Sequence, residues 1–234
     1  MQRRAPSSRP ERLPVIPARP AAVLFDMDGL LLDTERLIRD AIVAVMADLG
    51  FAMSGADYAE LIGRPEPANR AIMQARFGPA LDYDAMRAAV RQRVQAQWGP
   101  IRPLKPGAAA LVAQLNAAGI PCAVATGSEN ALARAHLGHA GLLDGFVAII
   151  GCDDVANGKP HPEPYLAAAA RLGVAPAQAL ALEDSHNGIL SAHAAGVPVI
   201  MVPDLLPVTP EIRTRLLAVA PDLHVVAGWL AAAA

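Results

Sequence analysis

The chain has 234 residues, 53% of them apolar and 18% charged, with a formal net charge of −2. That length can bury a sizeable core, and the composition excludes a disordered chain or a lone peptide-sized module. No run of eighteen apolar residues suggests a membrane span, and with only Cys122 and Cys152 there is no disulfide framework, so a cytoplasmic protein with two reduced thiols is expected.

Residues 1–20 carry five Arg, are rich in Pro and lack the apolar centre of a signal peptide; they read as a flexible arm. Without the arm the body sits near −6, which excludes a generic nucleic-acid binder. Ala21–Phe25 is an apolar, strand-like run. A helical period follows over about 34–49, with Leu37, Ala41, Val45 and Leu49 at steps of four, and Gly50 supplies a stop. Helices are expected near 55–62, 66–77 and 82–98, with no β-rich run among them. Pro103, Pro106 and Gly107 reset the chain direction.

Beyond that point helices and strands alternate. Helices at 107–118, 129–138, 162–172 and 187–195 are followed by strands at Ile120–Ala125 (after the first), Phe146–Ile150, Ala179–Leu182 and Val197–Val202. Alternation at this length implies an α/β fold with a parallel sheet, to which residues 21–34 and 104–234 contribute, while 35–103 form an inserted helical cap. Ala231–Ala234 is low in complexity and is expected to fray.

Polar clusters follow the strands. After the first comes Asp26-Met27-Asp28-Gly29-Leu30-Leu31-Leu32-Asp33-Thr34-Glu35. Two acids one residue apart at the end of a buried strand are costly to desolvate unless a metal or a reaction uses them; an Asx turn at Asp28-Gly29 is the plain alternative. Thr126-Gly127-Ser128 follows the second strand, where small residues let backbone N–H groups reach an anion. Lys159, in Gly158-Lys159-Pro160-His161-Pro162-Glu163-Pro164, is one of only two lysines, the other being Lys105, in a chain with 18 Arg. Writing Lys here suggests that a compact ammonium is required. The glycine spacing before it is wrong for a P-loop, and Pro160 stands where that motif needs Ser or Thr. Glu183-Asp184-Ser185-His186-Asn187-Gly188 again gathers adjacent carboxylates where a hard divalent cation would reconcile them. His136 and His139 have no third ligand nearby and read as helix-surface residues, and Asp153 and Asp154 as turn and cap residues.

These four clusters, in this order, resemble the signatures of the haloacid dehalogenase superfamily, in the branch with phosphoglycolate phosphatase and β-phosphoglucomutase. The resemblance covers about residues 21–202 and implies a Rossmann-like core with a cap emerging after the first motif. It implies Asp26 as the nucleophile that forms an aspartyl-phosphate, and Asp28 as general acid and base. Thr126, with Gly127 and Ser128, would bind the phosphoryl oxygens, and Lys159 would neutralise charge. Mg²⁺ would be held by Asp26, Asp28 and Asp184, with Glu183 contacting it or its bound water. Arg64 and Asn130 are candidates for contacting the leaving group, though Arg64 equally reads as a surface residue. His186 sits at the site edge, and Thr34 and Glu35 open the hinge, where Thr can also cap the helix and Glu favour its dipole.

The expected function is hydrolysis of small phosphorylated metabolites, sugar phosphates first, by a monomer or weak dimer that uses no nucleic acid or membrane. A sugar phosphomutase and a non-catalytic phosphate-binding protein are the alternatives. Two departures count against the mutase: the position of a cap-coupling His in β-phosphoglucomutase is here Ile38, and a Lys after its second motif is here Glu129.

Overall fold

The computed structural model describes residues 16, 18–62, 64, 66–98 and 103–233. Most of the N-terminal arm, Gly63, Pro65, Gly99, Pro100, Ile101, Arg102 and Ala234 lie outside them. β1 (Ala22–Phe25), β2 (Cys122–Ala125), β3 (Ala148–Ile150), β4 (Ala179–Glu183), β5 (Val199–Met201) and β6 (Ala218–Val219) form one parallel sheet in the order β3-β2-β1-β4-β5-β6. β1 is central, with Val23 level with Cys122 on one side and Leu180 on the other. The chain leaves β1 toward β2 on one flank and later builds β4 on the other, so strand order reverses beside β1. Open sheets bind ligands at such switch points, outside the carboxyl ends of the strands.

Between β1 and β2 the chain makes α1 (Glu35–Asp48), α2 (Gly55–Ala59), α3 (Glu66–Phe77) and α4 (Tyr83–Trp98). Their apolar stripes enclose a separate cluster that includes Ile42, Met46, Tyr58, Leu61, Met73, Met86 and Val90. Ser54 starts α2 with a reciprocal cap: its hydroxyl accepts from the Asp57 N–H at 3.2 Å, and its own N–H donates to the Asp57 carboxylate at 2.7 Å. The two connections to the core are paired with each other. Leu32 bridges Leu104, the Asp33 N–H donates to the Pro103 carbonyl, and the Lys105 N–H donates to that of Leu31, both at 2.9 Å. An excursion that leaves and returns through one paired hinge does not disturb the sheet.

The remaining helices are α5 (Ala108–Ala117), α6 (Asn130–His139), α7 (Glu163–Arg171), α8 (His186–Ala194), α9 (Pro210–Arg213) and α10 (Leu223–Ala232). Side chains alternate across β1: Val23 and Phe25 enter a cluster with Leu111 and Leu115 of α5 and Val226 and Leu230 of α10. Ala22 and Leu24 enter another with Tyr165 and Ala168 of α7 and Ile189 and Ala192 of α8. With both faces covered, every residue of β1, β2 and β4 is buried.

Four details differ from the sequence reading. Ile16 is buried in the first cluster, and Arg19 donates to the Ala118 carbonyl, so this end of the arm docks on the body. α10 continues through Ala232 instead of fraying from 231, because Trp229 and Leu230 pack into the same core. His136 is buried on α6 while His139 is exposed, so only the latter is a surface residue. β6 and α9 were not foreseen; two and four residues are too short for a periodic signal.

Candidate active site

β1 delivers Asp26 to the sheet's carboxyl edge, where its N–H donates to the Leu182 carbonyl at 3.0 Å. β2 delivers Thr126, whose N–H donates to the Ile150 carbonyl at 2.9 Å. The loop between β3 and α7 brings in Lys159, which is buried, with Nζ 2.6 Å from Asp26 Oδ1 and 2.5 Å from Glu183 Oε1. Oxygens of Asp26, Glu183 and Asp184 all lie within 4.8 Å of one another. Three carboxylates around one ammonium leave an excess of negative charge that a divalent cation would balance.

The two acids that end β4 behave differently. Glu183 is saturated: Oε1 accepts from Lys159 and, at 2.8 Å, from the Tyr165 hydroxyl, and Oε2 accepts from the Asp184 and Ser185 N–H groups and the Ser185 hydroxyl, each at 3.1 Å. With five such contacts, Glu183 anchors its neighbours. Asp184 is equally buried, but its Oδ1 has no hydrogen-bond partner. A Cβ at Gly29, whose φ is +89°, would lie 2.3 Å from Asp184 Oδ2, and one at Gly188 would lie 1.7 Å from Glu183 Oε1. Both motif glycines are therefore required by close approach to these acids. The orphaned oxygen and its glycine cradle fit a hard cation coordinated by oxygen.

Asp28 is held by two hydroxyls: Thr34 Oγ1 donates to Oδ1 at 2.7 Å, and Ser128 Oγ to Oδ2 at 3.1 Å. Thr34 thus gives its side chain to Asp28 instead of capping α1. The Ser128 N–H donates to Thr126 Oγ1 at 3.1 Å, tightening the turn. Asp26, Asp28, Thr126, Gly127, Ser128, Lys159 and Asp184 line one cavity of about 510 Å³, to which the helical insert contributes Arg64.

Asn130 is not at this cavity. Its side-chain amide donates to the Ile149 carbonyl at 2.8 Å and to Asp154 at 2.6 Å, and its N–H to Asp153 at 2.7 Å, so it pins α6 to the loop after β3. Asp153 and Asp154 serve as its turn and cap partners. His186 turns to the Pro207 carbonyl at 2.9 Å, away from the acids.

Tyrosines are what sequence reasoning missed. All three in the chain aim their hydroxyls at acids around the cavity: Tyr58 at Glu35 (2.6 Å), Tyr83 at Glu66 (3.1 Å) and Tyr165 at Glu183. The Tyr165 ring also lies 5.1 Å from Lys159 Nζ. Their rarity was the available signal.

Burial raises the Asp26 carboxyl well above the usual range; Lys159 opposes this and Glu183 adds to it. Burial also raises Asp184, reinforced by the charges of Asp26 and Glu183. Burial alone would lower Lys159, but Asp26 and Glu183 outweigh it and keep the ammonium charged above its ordinary range. Burial pushes Glu35 up to about 7, against the Tyr58 hydrogen bond and with help from the charges of Asp28 and Asp204.

Residues 20–196 match the family of haloacid dehalogenase-like hydrolases. The chain is 33% identical over 187 residues to the bifunctional riboflavin kinase/FMN phosphatase of Arabidopsis thaliana; the match covers 79% of this chain and spans only about half of that protein, 49%. It is 35% identical over 188 residues to the fructose-1-phosphate phosphatase YqaB of Escherichia coli, covering 79% of this chain and 97% of YqaB. The crystal structure of CbbY from Rhodobacter sphaeroides in complex with phosphate matches with a TM-score of 0.73 and 31% identity, over 87% of this chain and 95% of that one.

The Glu35 shift has a measurable sign. An acid with a raised folded pKa retains a proton that the unfolded chain releases, so its contribution to stability is present below the ordinary value of 4.5 and is lost as pH rises to about 7. Glu35→Gln removes that titration while keeping an acceptor for Tyr58. In EDTA, the melting temperature of the variant relative to the parent should rise between pH 4.5 and pH 8; a gap independent of pH would contradict the assignment.

Proposed function

Since this chain belongs to the haloacid dehalogenase-like hydrolases, in the branch of phosphoglycolate phosphatase and β-phosphoglucomutase, and is a phosphoric monoester hydrolase, we propose that it is a Mg²⁺-dependent phosphatase of small metabolites working through an aspartyl-phosphate on Asp26. The observation that carries this reading is the separate anchoring of two neighbouring aspartates, Asp26 by Lys159 and Asp28 by Thr34 and Ser128.

A phosphate monoester is dianionic near neutral pH, so a carboxylate attacks it only where charge is screened and geometry is in line. Asp26 attacks phosphorus, and the bond to the leaving oxygen breaks as Asp28 gives that oxygen a proton. Asp28 then takes a proton from water, the water oxygen attacks phosphorus, and the bond to Asp26 breaks to release phosphate. The hydroxyls of Thr34 and Ser128 keep the Asp28 carboxyl aimed through both steps. Thr126 and the turn after it receive the phosphoryl oxygens, while Lys159 holds the attacking carboxylate in place. Asp26, Asp184 and the Asp28 main-chain carbonyl would hold Mg²⁺, which when bound supplies further neutralisation of the attacking and phosphoryl oxygens. Glu183 supports this set from behind, and Arg64 reaches the leaving group from the cap.

An oxygen-only ligand set without His or Cys favours Mg²⁺ over Zn²⁺. Turnover should fall to background in EDTA and recover with added Mg²⁺; full activity after exhaustive chelation would rule out the metal-dependent reading. Asp26→Asn and Asp28→Asn should each lower turnover by at least about a hundredfold, the scale of lost acid–base help, with phosphoenzyme abolished only in the first. Near-native turnover in Asp26→Asn would place the nucleophile elsewhere. Ile38 and Glu129 remove two polar features of the mutase pattern, so hydrolysis of the phosphoenzyme should outrun phosphoryl return. Phosphorus NMR on β-glucose 1-phosphate with Mg²⁺ and a bisphosphate primer reads this directly, and glucose 6-phosphate forming faster than inorganic phosphate would favour the mutase.

A further inference from the structure

Lys159 answers to two rival carboxylates, with Nζ 2.6 Å from Asp26 Oδ1 and 2.5 Å from Glu183 Oε1. Which of them holds the ammonium more tightly decides how well the charge of Asp26 is screened. Glu183 Oε1 accepts one further hydrogen bond, from the Tyr165 hydroxyl at 2.8 Å. The Tyr165 ring lies 5.1 Å from the same Nζ, within reach of a cation–π contact.

Tyr165 is fully buried on α7 and is not among the described residues that line the cavity. It acts on the site through its neighbours alone. Its ring packs in the core cluster with Ala22, Leu24 and Ala168. A phenylalanine would fill that space without the cost of desolvating a hydroxyl, so packing accounts for the ring and not for the oxygen.

A donor on a buried carboxylate oxygen reduces the negative charge which that oxygen presents to its other donors, and the effect is strong where the local dielectric is low. Without the hydroxyl, Glu183 Oε1 would keep Lys159 as its one donor and draw the ammonium toward β4, away from Asp26.

We infer that Tyr165 is a positioning residue for the nucleophile: by taking part of the Glu183 charge, its hydroxyl leaves Lys159 shared between the two acids and in place to screen Asp26. This rests on the phosphatase reading for the role of Asp26, and goes beyond it by assigning a residue behind the site.

The test is Tyr165→Phe in the full chain with Mg²⁺, which keeps the ring and removes the oxygen. p-Nitrophenyl phosphate and acetyl phosphate release leaving groups that need no proton, so kcat/KM on them reports attack by Asp26 without help from Asp28. It should fall by at least about tenfold, the scale of one hydrogen bond to a charged group. With lysine labelled by ¹⁵N at the side-chain nitrogen, NMR gives two ammonium signals, because Lys105 and Lys159 are the only lysines. The Lys159 signal should move in the variant. The Lys105 signal should stay, since its carboxylates are Asp33 and Asp204. Parental kcat/KM in a folded variant would overturn the inference, and so would a fall in kcat/KM with the Lys159 signal unmoved. A second arm needs no substitution: 3-fluorotyrosine incorporated into the parent makes the hydroxyl a stronger donor and should also shift the Lys159 signal, and an unmoved signal there counts against the inference even if Tyr165→Phe does not fold. If the parent hydrolyses neither compound, the phosphatase reading falls, while the NMR arms still decide whether Tyr165 sets the position of Lys159.

Discussion

The ammonium of Lys159 joins the end of β1 to the end of β4 through Asp26 and Glu183, and the rest of the site is arranged around that bridge. Three carboxylates crowd at a buried strand edge, where each would be expensive to ionise alone. Lys159 offsets one charge directly and, through Glu183, fixes the turn that carries Asp184 and Ser185. Removing one partner of such a buried pair typically costs about 3–5 kcal/mol, so this charge holds this edge of the fold together.

Lys105, the second lysine, performs a related task at the hinge. Its Nζ lies 2.8 Å from the buried Asp204, which also receives Arg36 of α1 at 3.2 Å, and 3.7 Å from Asp33. Loop, hinge and first cap helix thus meet at one carboxylate. Thr34 follows Asp33 directly, so the segment that starts the cap also orients Asp28. The placement of α1 and the orientation of the Asp28 carboxyl are thus linked through a few residues.

Aromatic residues make up only 4% of the chain, so small and aliphatic side chains fill most of its core. On the face toward α7 and α8, Ala123, Ala125, Ala179 and Ala181 share a cluster with Ala168, Ala169 and Ala192. Larger side chains fill the opposite face, with Leu, Val and Trp229 from α5 and α10. The few tyrosines are left for polar work around the cavity.

Much of this protein was legible in its sequence, because period and punctuation are local properties. Alternating strands and helices after residue 104 specified the parallel core, and Asp26, Asp28, Thr126, Lys159 and Asp184 stood out as polar residues placed where a buried strand ends. What local pattern could not carry was pairing. Nothing near Asn130 signals that its amide points to Asp154, nothing near Tyr165 that it meets Glu183, and nothing near Thr34 that its hydroxyl leaves the helix end for Asp28. Sequence by itself determined the chemistry available and the order of its parts. Tertiary structure decided which oxygens are satisfied and which are left open, because hydrogen-bond accounting depends on neighbours that lie far apart along the chain.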